Sequence, residues 1–326
     1  MKRAAVHATG RYLPETVVPN DALTQFSPEA RRLIGEKTGV LSRRCASDEE
    51  CTSDLAIKAA RTCLQKAGVS PEEIEGIIVS TSSPDRMQPA TATRVQLEAG
   101  AKKAFAFDIN SVCSGGSFGI EIADALIRSG RYENILLIAA EMYSRILNKQ
   151  DFSTYPFFGD GAGAILLRAE ASGHRGILRS CLETDGSGNN TICVPAGGTM
   201  MPCAKITNPR LAYFRMKGEE VFAFSIDKGP KIISRLASEA GVDLADVKCF
   251  ICHQANINIL YRIADILGLP RERFYVNLDQ YGNTASASVL IAFDEVLSRG
   301  LAVPGDLVML VTFGGGFSWG ANLIRI

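Results

Sequence analysis

The sequence predicts an α/β fold made of two similar halves, in which helices cover parallel β-sheets. Three observations support this prediction. Residues 67–80 are matched by residues 240–253 at an offset of 173, and residues 123–130 are matched by residues 293–300 at an offset of 170. Apolar strand patterns also alternate with helical patterns along both halves, which is typical of parallel sheets covered by helices.

The first similarity gives the same order of elements in each half. A helical pattern ends at Ala-Gly, a short polar loop follows, and an apolar strand emerges at residues 76–80 or at Val247–Cys252. The second similarity gives a helix followed by a strand at Ile135–Ala140 or Leu307–Thr312. Strands at Ala104–Asp108 and Phe274–Asn277 are predicted before these helices. We place the halves at residues 1–170 and 171–326.

Composition excludes several classes of protein. The 326 residues are 46% hydrophobic, which is ample for a large core, and 35 basic residues balance 35 acidic ones. Charge therefore gives no reason to expect nucleic acid or an anionic membrane as a partner. The chain shows neither a signal peptide nor an apolar run of roughly 20 residues, so we expect a soluble cytoplasmic protein. Its nine irregularly spaced cysteines are expected to be mostly buried thiols.

Cys113 lies where an apolar strand gives way to a tight turn and a helix. The segment Phe107–Gly119 carries Cys113 directly before Ser114 and the glycine pair Gly115-Gly116. A thiol at a helix N-terminus is favoured as thiolate, and the amide of Cys113 can donate to an oxyanion. From this segment alone, a nucleophile and a small buried structural cysteine remain equal alternatives.

His253 ends the predicted strand Val247–Cys252, at the edge where α/β proteins bind ligands. The other two histidines are His7, near the first strand, and His174, in an apparent surface turn. Cys249-Phe250-Ile251-Cys252-His253 spells a haem-attachment pattern, but cysteines three apart on a strand face opposite sides, so we reject haem. No second ligand pair supports a metal site. A structural histidine remains the alternative to a catalytic one.

Asn283 falls on Cys113 at the offset of 170 and opens the matching helix. An amide donor in that position can stabilise charge opposite the thiol, although an ordinary helix cap is the alternative. The glycine-rich loop 158–164 precedes a strand, so it is not a dinucleotide fingerprint. The loop 313–320 holds three successive glycines and suits a backbone that reaches into a crowded site.

Together these segments resemble the thiolase superfamily, and most closely the β-ketoacyl-acyl-carrier-protein synthase III family. The resemblance covers essentially the whole chain. It rests on the cysteine turn, His253-Gln254-Ala255-Asn256, and Gly282-Asn283-Thr284-Ala285 in this order, with further matches at 37–40, 158–164, 216–222 and 313–320. It implies a five-layered αβαβα fold of two duplicated halves, a homodimer, and a Cys113-His253-Asn283 triad.

The resemblance also implies a reaction. Cys113 would take an acyl group from acyl-CoA, with the amides of Cys113 and Gly315 as oxyanion hole. Malonyl-acyl carrier protein would then lose CO2, with His253 and Asn283 donating to its thioester oxygen. The carbanion would attack the acyl group and release a 3-oxoacyl product, with no cofactor or metal beyond these substrates. Asn256 and Phe313 are expected to contact substrate.

Some positions depart from the family pattern. Leu33 and Phe152 stand where relatives sandwich the CoA adenine between Trp and Arg, and Ala223 and Asn258 stand where relatives carry basic residues for the carrier protein. The residues at the acyl-pocket gate are Arg86, Met87 and Gln88. Arg86 would either pair with an acidic acyl chain or lie solvated at the surface. The departures favour a relative in a specialised pathway.

Two other functions remain open. The first is acyl transfer from Cys113 to a hydroxyl or amine of a small molecule, without loss of CO2. The second is a non-catalytic partner subunit of a synthase complex, against which the complete Cys-His-Asn set argues.

Overall fold

The computed structural model describes residues 3–171 and 175–326. His174, which was predicted to lie in a surface turn, is outside the described residues.

The described residues form thirteen β-strands. They are β1 (Arg3–Tyr12), β2 (Thr16–Pro19), β3 (Ser42–Cys45), β4 (Gly76–Ser80), β5 (Phe105–Ile109), β6 (Asn134–Glu141), β7 (Gly161–Glu170), β8 (Gly176–Thr184), β9 (Ile192–Cys193), β10 (Arg215–Met216), β11 (Val247–Cys252), β12 (Leu307–Gly314) and β13 (Ser318–Arg325).

Eight α-helices lie in the same described ranges. They are α1 (Pro28–Thr38), α2 (Thr52–Ala67), α3 (Thr91–Ala99), α4 (Gly115–Arg128), α5 (Gly218–Ala240), α6 (Ile257–Leu267), α7 (Leu278–Tyr281) and α8 (Ala287–Ser298).

Two sheets carry the fold, one in each half. The first has the order β1-β7-β6-β4-β5 and the second has the order β11-β12-β13-β8. The pairs β4–β5, β4–β6 and β11–β12 are parallel, whereas β7 and β13 run antiparallel to their neighbours. The prediction of parallel sheets is therefore right only for β4, β5 and β6 in the first sheet and for β11 and β12 in the second. Each half ends in an antiparallel strand, which follows residues 142–160 in the first half and the short turn 315–317 in the second.

The elements stack in five layers, which confirms the predicted architecture. Helices α2 and α3 pack on the outer face of the first sheet, and α5 and α6 cover the second sheet. Helices α4 and α8 lie between the sheets and contact strands of both. Side chains on the two faces of β11 divide between these layers. Cys249 joins the core around the central helices, and Cys252 joins the core beneath α5 and α6, as the alternation along a strand predicts.

The repeat has one register across the sheets. Ile77 pairs with Leu136 in the first sheet, and Phe250 pairs with Met309 in the second, so both partners shift by 173. Val112 and Ala285, non-glycine residues with φ of 47° and 45°, have the same separation. Cys113 therefore corresponds to Ser286, and the predicted correspondence between Cys113 and Asn283 is wrong. The offset of 170 applies at the helix ends, where Gly130 and Gly300 both have positive φ.

A predicted strand at Phe274–Asn277 is also wrong. Only an isolated parallel bridge between Phe250 and Phe274 forms there, with the Tyr275 amide donating to the Phe250 carbonyl at 3.0 Å. The second sheet consequently has four strands where the first has five. The chain from 275 to 281 leaves the sheet edge and leads directly to Asn283.

No helix within the described ranges is both long and apolar enough to cross a membrane.

Candidate active site

Cys113, His253 and Asn283 line one small inner chamber between the two halves. The inner chamber has about 30 Å³ of space and is otherwise lined mainly by apolar side chains: Phe158, Ile192, Phe214, Met216, Val221, Phe224, Ala255, Ile259 and Phe313. Behind Cys113, the Tyr143 ring stacks on Phe158 with centroids 4.8 Å apart, and Phe214 meets Tyr143 edge-on at 5.2 Å. These rings fill the space behind the thiol, which explains why the inner chamber is small and apolar.

A fixed turn presents Cys113. The residue sits in a 3₁₀ turn at Val112–Ser114, and α4 begins two residues later at Gly115. The amide of Val112 donates to Oδ1 of Asn110 at 3.1 Å. The end of β12 presses against this turn at Gly314, where an added Cβ would lie 2.8 Å from the Ser111 carbonyl oxygen. Only glycine permits so close an approach, so the turn and the glycine loop are built to fit each other.

The surroundings of Cys113 raise the pKa of its thiol, against the expectation of a favoured thiolate. The residue is only 6% exposed. Burial raises the pKa of Cys113, the Glu141 carboxylate raises it further, and the Cys113 amide lowers it by a smaller amount. Burial prevails over the helix terminus because α4 begins beyond Cys113.

His253 is held as a neutral imidazole. Burial lowers the pKa of His253 to about 4. Its Nδ1 lies 2.7 Å from the Ser288 hydroxyl, which also accepts the Gln254 amide at 3.4 Å. We assign the Ser288 hydroxyl as the donor in this hydrogen bond and Nδ1 of His253 as the acceptor. The single proton of the neutral imidazole is then on Nε2. His253 can then donate a hydrogen bond into the inner chamber without carrying charge.

Asn283 is oriented in the same way. Its Oδ1 accepts the Ala285 amide at 2.8 Å, and its backbone joins Phe157 and Gly159 through bonds of 2.8 and 3.0 Å. The preceding Gly282 has φ of 66°, and a Cβ there would lie 2.9 Å from the Phe157 carbonyl oxygen. With the oxygen occupied, the Nδ2 group is left as a donor to the inner chamber.

An outer cleft of about 770 Å³ leads from the surface to this inner chamber. The two spaces share lining residues, among them Phe158, Met216 and Asn283. Lys37 and Asn256 line the cleft, and Asn256 also caps α6 by accepting the Asn258 amide at 2.9 Å. Of the two residues predicted to contact substrate, Asn256 thus lies in the outer cleft and Phe313 in the inner chamber.

The oxyanion hole stays a prediction. Gly314 lines the inner chamber, and the predicted donor Gly315 follows it at the end of β12. A Cβ at Gly315 would lie 3.1 Å from Cβ of Ile192, which itself lines the inner chamber. Gly314 and Ile192 therefore bring the glycine loop to the wall of the inner chamber.

The predicted docking residues lie farther out. Leu33 and Phe152 are half-buried, and Phe152 meets the Phe26 ring edge-on at 5.2 Å. Ala223 and Asn258 are exposed beside the outer cleft, where Asn258 donates to the Lys37 carbonyl at 2.8 Å. These positions are near the mouth, and their roles in substrate binding stay predictions.

The predicted gate lies away from the inner chamber in a single chain. Arg86, Met87 and Gln88 are exposed on the loop after β4, and Met87 is 78% exposed. The exposed position of Arg86 matches the solvated alternative rather than a buried ion pair. Their role as a gate stays a prediction.

Sequence reasoning missed Glu141, the buried acid at the end of β6. Its carboxylate accepts hydrogen bonds from the hydroxyls of Ser83 at 2.6 Å and Ser286 at 2.7 Å and from the Ser82 amide at 3.1 Å. Burial raises the pKa of Glu141, and the serine hydrogen bonds offset only part of this. A single acid closing the apolar run Ile135–Ala140 was the available signal.

The site offers no evident place for a metal. Among the residues that the structure describes, no three His, Cys, Asp or Glu side chains come together as a possible ligand set. All nine cysteines lie in the described ranges as free thiols.

Comparison with known proteins gives matches along the whole chain. A family profile described as 3-oxoacyl-[acyl-carrier-protein (ACP)] synthase III matches residues 107–186, and the C-terminal profile of the same description matches residues 237–326. The beta-ketoacyl-[acyl-carrier-protein] synthase III of Rhizorhabdus wittichii is 41% identical over 325 residues, covering 100% of both chains. The beta-ketoacyl-[acyl-carrier-protein] synthase III 3 of Streptomyces coelicolor is 42% identical, covering 98% of this chain and 97% of its own.

A solved structure agrees with these sequences. The crystal structure of 3-oxoacyl-[acyl-carrier-protein] synthase III from Aquifex aeolicus VF5 is similar with a TM-score of 0.90 and 36% identity. The match covers 99% of this chain and 100% of that one. The two matched profile ranges include Cys113 in the first and His253 and Asn283 in the second.

Proposed function

Because the chain belongs to the 3-oxoacyl-[acyl-carrier-protein] synthase III family, we propose that it condenses an acyl-CoA with malonyl-acyl carrier protein through an acyl-Cys113 intermediate. One observation carries the residue assignment. A buried thiol shares a chamber with two neutral N–H donors, whose other polar atoms are occupied by Ser288 and Ala285. CoA and the carrier protein enter as substrates, with no resident cofactor or metal.

The first half-reaction transfers the acyl group to the enzyme. The Cys113 sulfur attacks the thioester carbonyl, and the amides of Cys113 and Gly315 stabilise the oxyanion. The carbon–sulfur bond to CoA breaks, and the thiol proton of Cys113 ends on the departing CoA sulfur. The inner chamber of about 30 Å³ favours a short acyl group.

The second half-reaction makes the carbon–carbon bond. The malonyl carboxylate leaves as CO2, and the electron pair passes to the thioester oxygen as an enolate. Nε2 of His253 and Nδ2 of Asn283 donate to that oxygen. Because both groups are neutral, buried and held in place, they stabilise the developing charge without reorganising. The enolate carbon attacks the acyl carbonyl, the bond to Cys113 breaks, and the released sulfur takes up a proton.

The proposal includes a homodimer. Strand β5 is the last strand of the first sheet, so one of its edges lacks a partner among the described residues. Nearby, Leu97 is 66% exposed and Met87 is 78% exposed. An apolar edge of this kind is a place where a second copy can add its own β5. Such a copy would also bring the exposed loop 86–88 to a neighbouring subunit.

A mass measurement tests the proposed function. The purified protein and Cys113→Ala are incubated with acyl-CoAs of increasing chain length, and intact masses are recorded. We expect an acyl adduct on the parent alone, strongest for short chains. Adding malonyl-acyl carrier protein should then remove the adduct and release one CO2 per acyl group consumed.

The other outcomes separate the alternatives. Loss of the adduct to a small alcohol or amine without CO2 would mean simple acyl transfer. No adduct from any acyl-CoA or acyl carrier would overturn the assignment of Cys113 and favour a non-catalytic subunit.

A further inference from the structure

The segment that carries Asn283 into the inner chamber is held by side chains instead of a strand ladder. Only one bridge, Phe250 to Phe274, ties the described residues 274–281 to the sheet by strand-like pairing. Helix α7 within this segment is a single turn, Leu278–Tyr281. Asn283 itself pairs with Phe158 in a second isolated bridge, so the segment before it, residues 275–281, depends on other groups for its position.

Gln254 supplies the first anchor. Its side chain is 1% exposed and forms three hydrogen bonds. The amide group donates to the carbonyls of Cys252 at 2.8 Å and Tyr275 at 2.9 Å, and the oxygen accepts the Asn277 amide at 3.0 Å. Gln254 thus replaces the missing strand pairing over three residues.

Glu295 supplies the second anchor, from the central helix α8. Its carboxylate accepts hydrogen bonds from the hydroxyl of Tyr281 at 2.8 Å, from Nδ2 of Asn277 at 2.7 Å and from the hydroxyl of Tyr275 at 3.2 Å. Glu295 is 1% exposed. The described cations nearest to it are Arg299 at 3.6 Å and Arg11 at 3.8 Å, too long for direct hydrogen bonds.

The Tyr281 anchor acts close to the chemistry. Tyr281 is two residues before Asn283, and Gly282 between them is confined by the Phe157 carbonyl. The Asn283 amide donates to the same Phe157 carbonyl at 2.8 Å, so Tyr281 and Asn283 belong to one closely packed turn, and we expect a shift of the Tyr281 ring to move that turn. Cys113 hangs from a separate turn before α4, so the same shift leaves the nucleophile in place.

We propose that Glu295 is a positioning residue for Asn283, and that through Tyr281 and Asn277 it governs loss of CO2 from the malonyl substrate but not acylation of Cys113. The inference rests on the proposed function. It divides the two half-reactions between separate supports, since the turn at Cys113 holds the nucleophile and the Glu295 carboxylate holds the enolate donor.

The test measures the half-reactions separately in Tyr281→Phe and Glu295→Gln. Acylation is followed by the mass of the Cys113 adduct, and decarboxylation by CO2 release from malonyl-acyl carrier protein on acylated protein. Tyr281→Phe removes one hydroxyl without changing volume, so it keeps the test available if Glu295→Gln fails to fold. The matched control is Tyr12→Phe, which removes a tyrosine–glutamate hydrogen bond of 2.9 Å to a different acid, Glu50.

We expect Tyr281→Phe to slow CO2 release by about threefold to tenfold, the worth of one hydrogen bond, and to leave the acylation rate unchanged. Glu295→Gln should have the larger effect. Tyr12→Phe should change neither half-reaction. In an Asn283→Ala background, Tyr281→Phe should cause no further loss, because the group that it positions is gone.

Two results would overturn the inference alone. One is an equal loss of acylation and decarboxylation, and the other is the same fold-loss with and without Asn283. A parent protein that neither forms the adduct nor releases CO2 would instead overturn the proposed function, and this inference with it.

Discussion

His253 links the chemistry of the site to the acid stability of the fold. Burial lowers its pKa to about 4, whereas an unfolded histidine titrates near 6.5. Between these values the unfolded chain binds more protons than the native one, so the free energy of unfolding falls as pH falls through that window. The same burial that keeps His253 a neutral donor therefore makes the protein sensitive to acid.

We expect His253 to lower the free energy of unfolding by about 2 kcal/mol between pH 7 and pH 5. Urea unfolding of the parent and of His253→Asn at the two pH values measures this contribution. The variant should lose less stability on acidification than the parent. Equal losses would mean that His253 is not the group responsible.

Glu141 gives a second prediction for single residues. Its carboxylate raises the pKa of Cys113, and the pKa of Glu141 is itself raised by burial, so the effect on the thiol grows as Glu141 ionises with rising pH. Under alkaline conditions, we expect Cys113 to be alkylated at a higher rate in Glu141→Gln than in the parent. A fall of one pKa unit would raise the thiolate fraction about tenfold.

Iodoacetamide labelling of Cys113, followed by mass spectrometry across pH, tests this expectation. The rates of parent and variant should converge at acid pH, where Glu141 is protonated. Asp160→Asn is the control, because Asp160 is also buried but acts on Cys45. Parallel curves for parent and Glu141→Gln at every pH would contradict the coupling.

The three residues of the predicted triad line one chamber, and two of them carried a local signal. Cys113 and His253 each lie just beyond an apolar strand and are followed by small or polar residues, whereas Asn283 was singled out by an offset that the structure does not keep and by the family resemblance. Glu141 and Glu295 were not readable in this way. Glu141 does close an apolar run, but the roles of both acids depend on serine, tyrosine and asparagine groups that meet only in the folded chain, so no local pattern reveals those roles.

At the scale of elements, β5 is the strand whose surroundings a single chain leaves incomplete. All five of its residues, Phe105–Ile109, are half-buried. The Phe105 amide donates inward to the Glu75 carbonyl, so the amides of Ala106 and Asp108 face the open edge. Pairing between two copies would use those outward groups.

We expect Ala106→Pro to weaken the proposed dimer, since proline removes one outward donor. Sedimentation velocity of parent and variant at equal concentration measures the shift from dimer to monomer. Circular dichroism checks that the variant folds, and Val303→Ser, at an exposed loop residue elsewhere, is the control. A parent that sediments as a monomer would refute the homodimer.

Elements were predicted well where repetition and periodicity agreed, and poorly where the halves diverge. Apolar runs gave β6, β11 and β12, because these strands are buried on both faces. Residues 274–277 looked like a strand by analogy with β5, but Gln254 and Glu295 take their hydrogen-bonding groups away from the sheet. The shift of offset between 173 and 170 along the central helices likewise put Asn283 in the wrong slot.

At the scale of the whole molecule, Asp294 joins the two halves. From α8 of the second half it accepts hydrogen bonds from Thr9 and Lys66 of the first half at 2.7 Å each, and it pairs with Arg11. Burial opposes its ionisation, but the bonds from Lys66 and Thr9 prevail and hold the pKa of Asp294 below its usual value. This lowered pKa contributes stability above the unfolded pKa that is lost as pH falls.

We expect Asp294→Asn to lower the free energy of unfolding by about 2 kcal/mol at pH 7 and to shift one common transition for both halves. The estimate is kept below that for a fully buried pair because Lys66 is 43% exposed. Thermal unfolding by calorimetry provides the measurement. Asp265→Asn, which breaks an exposed pair with Arg271, should have no measurable effect. Two separate unfolding transitions in the variant would contradict the expectation that both halves still unfold together.

Because the outer cleft and the inner chamber share lining residues, substrates must bind and products must leave in a fixed order. In the proposed reaction, an acyl-CoA and the arm of a malonyl carrier use the same passage, past Phe158, Met216 and Asn283, to reach one sulfur atom. CoA has to leave before the malonyl carrier enters, so the proposed reaction follows ping-pong kinetics. Free CoA, the product that leaves first, then competes with the incoming carrier for this passage. We therefore expect the ratio of free CoA to acyl-CoA to set the rate of the reaction.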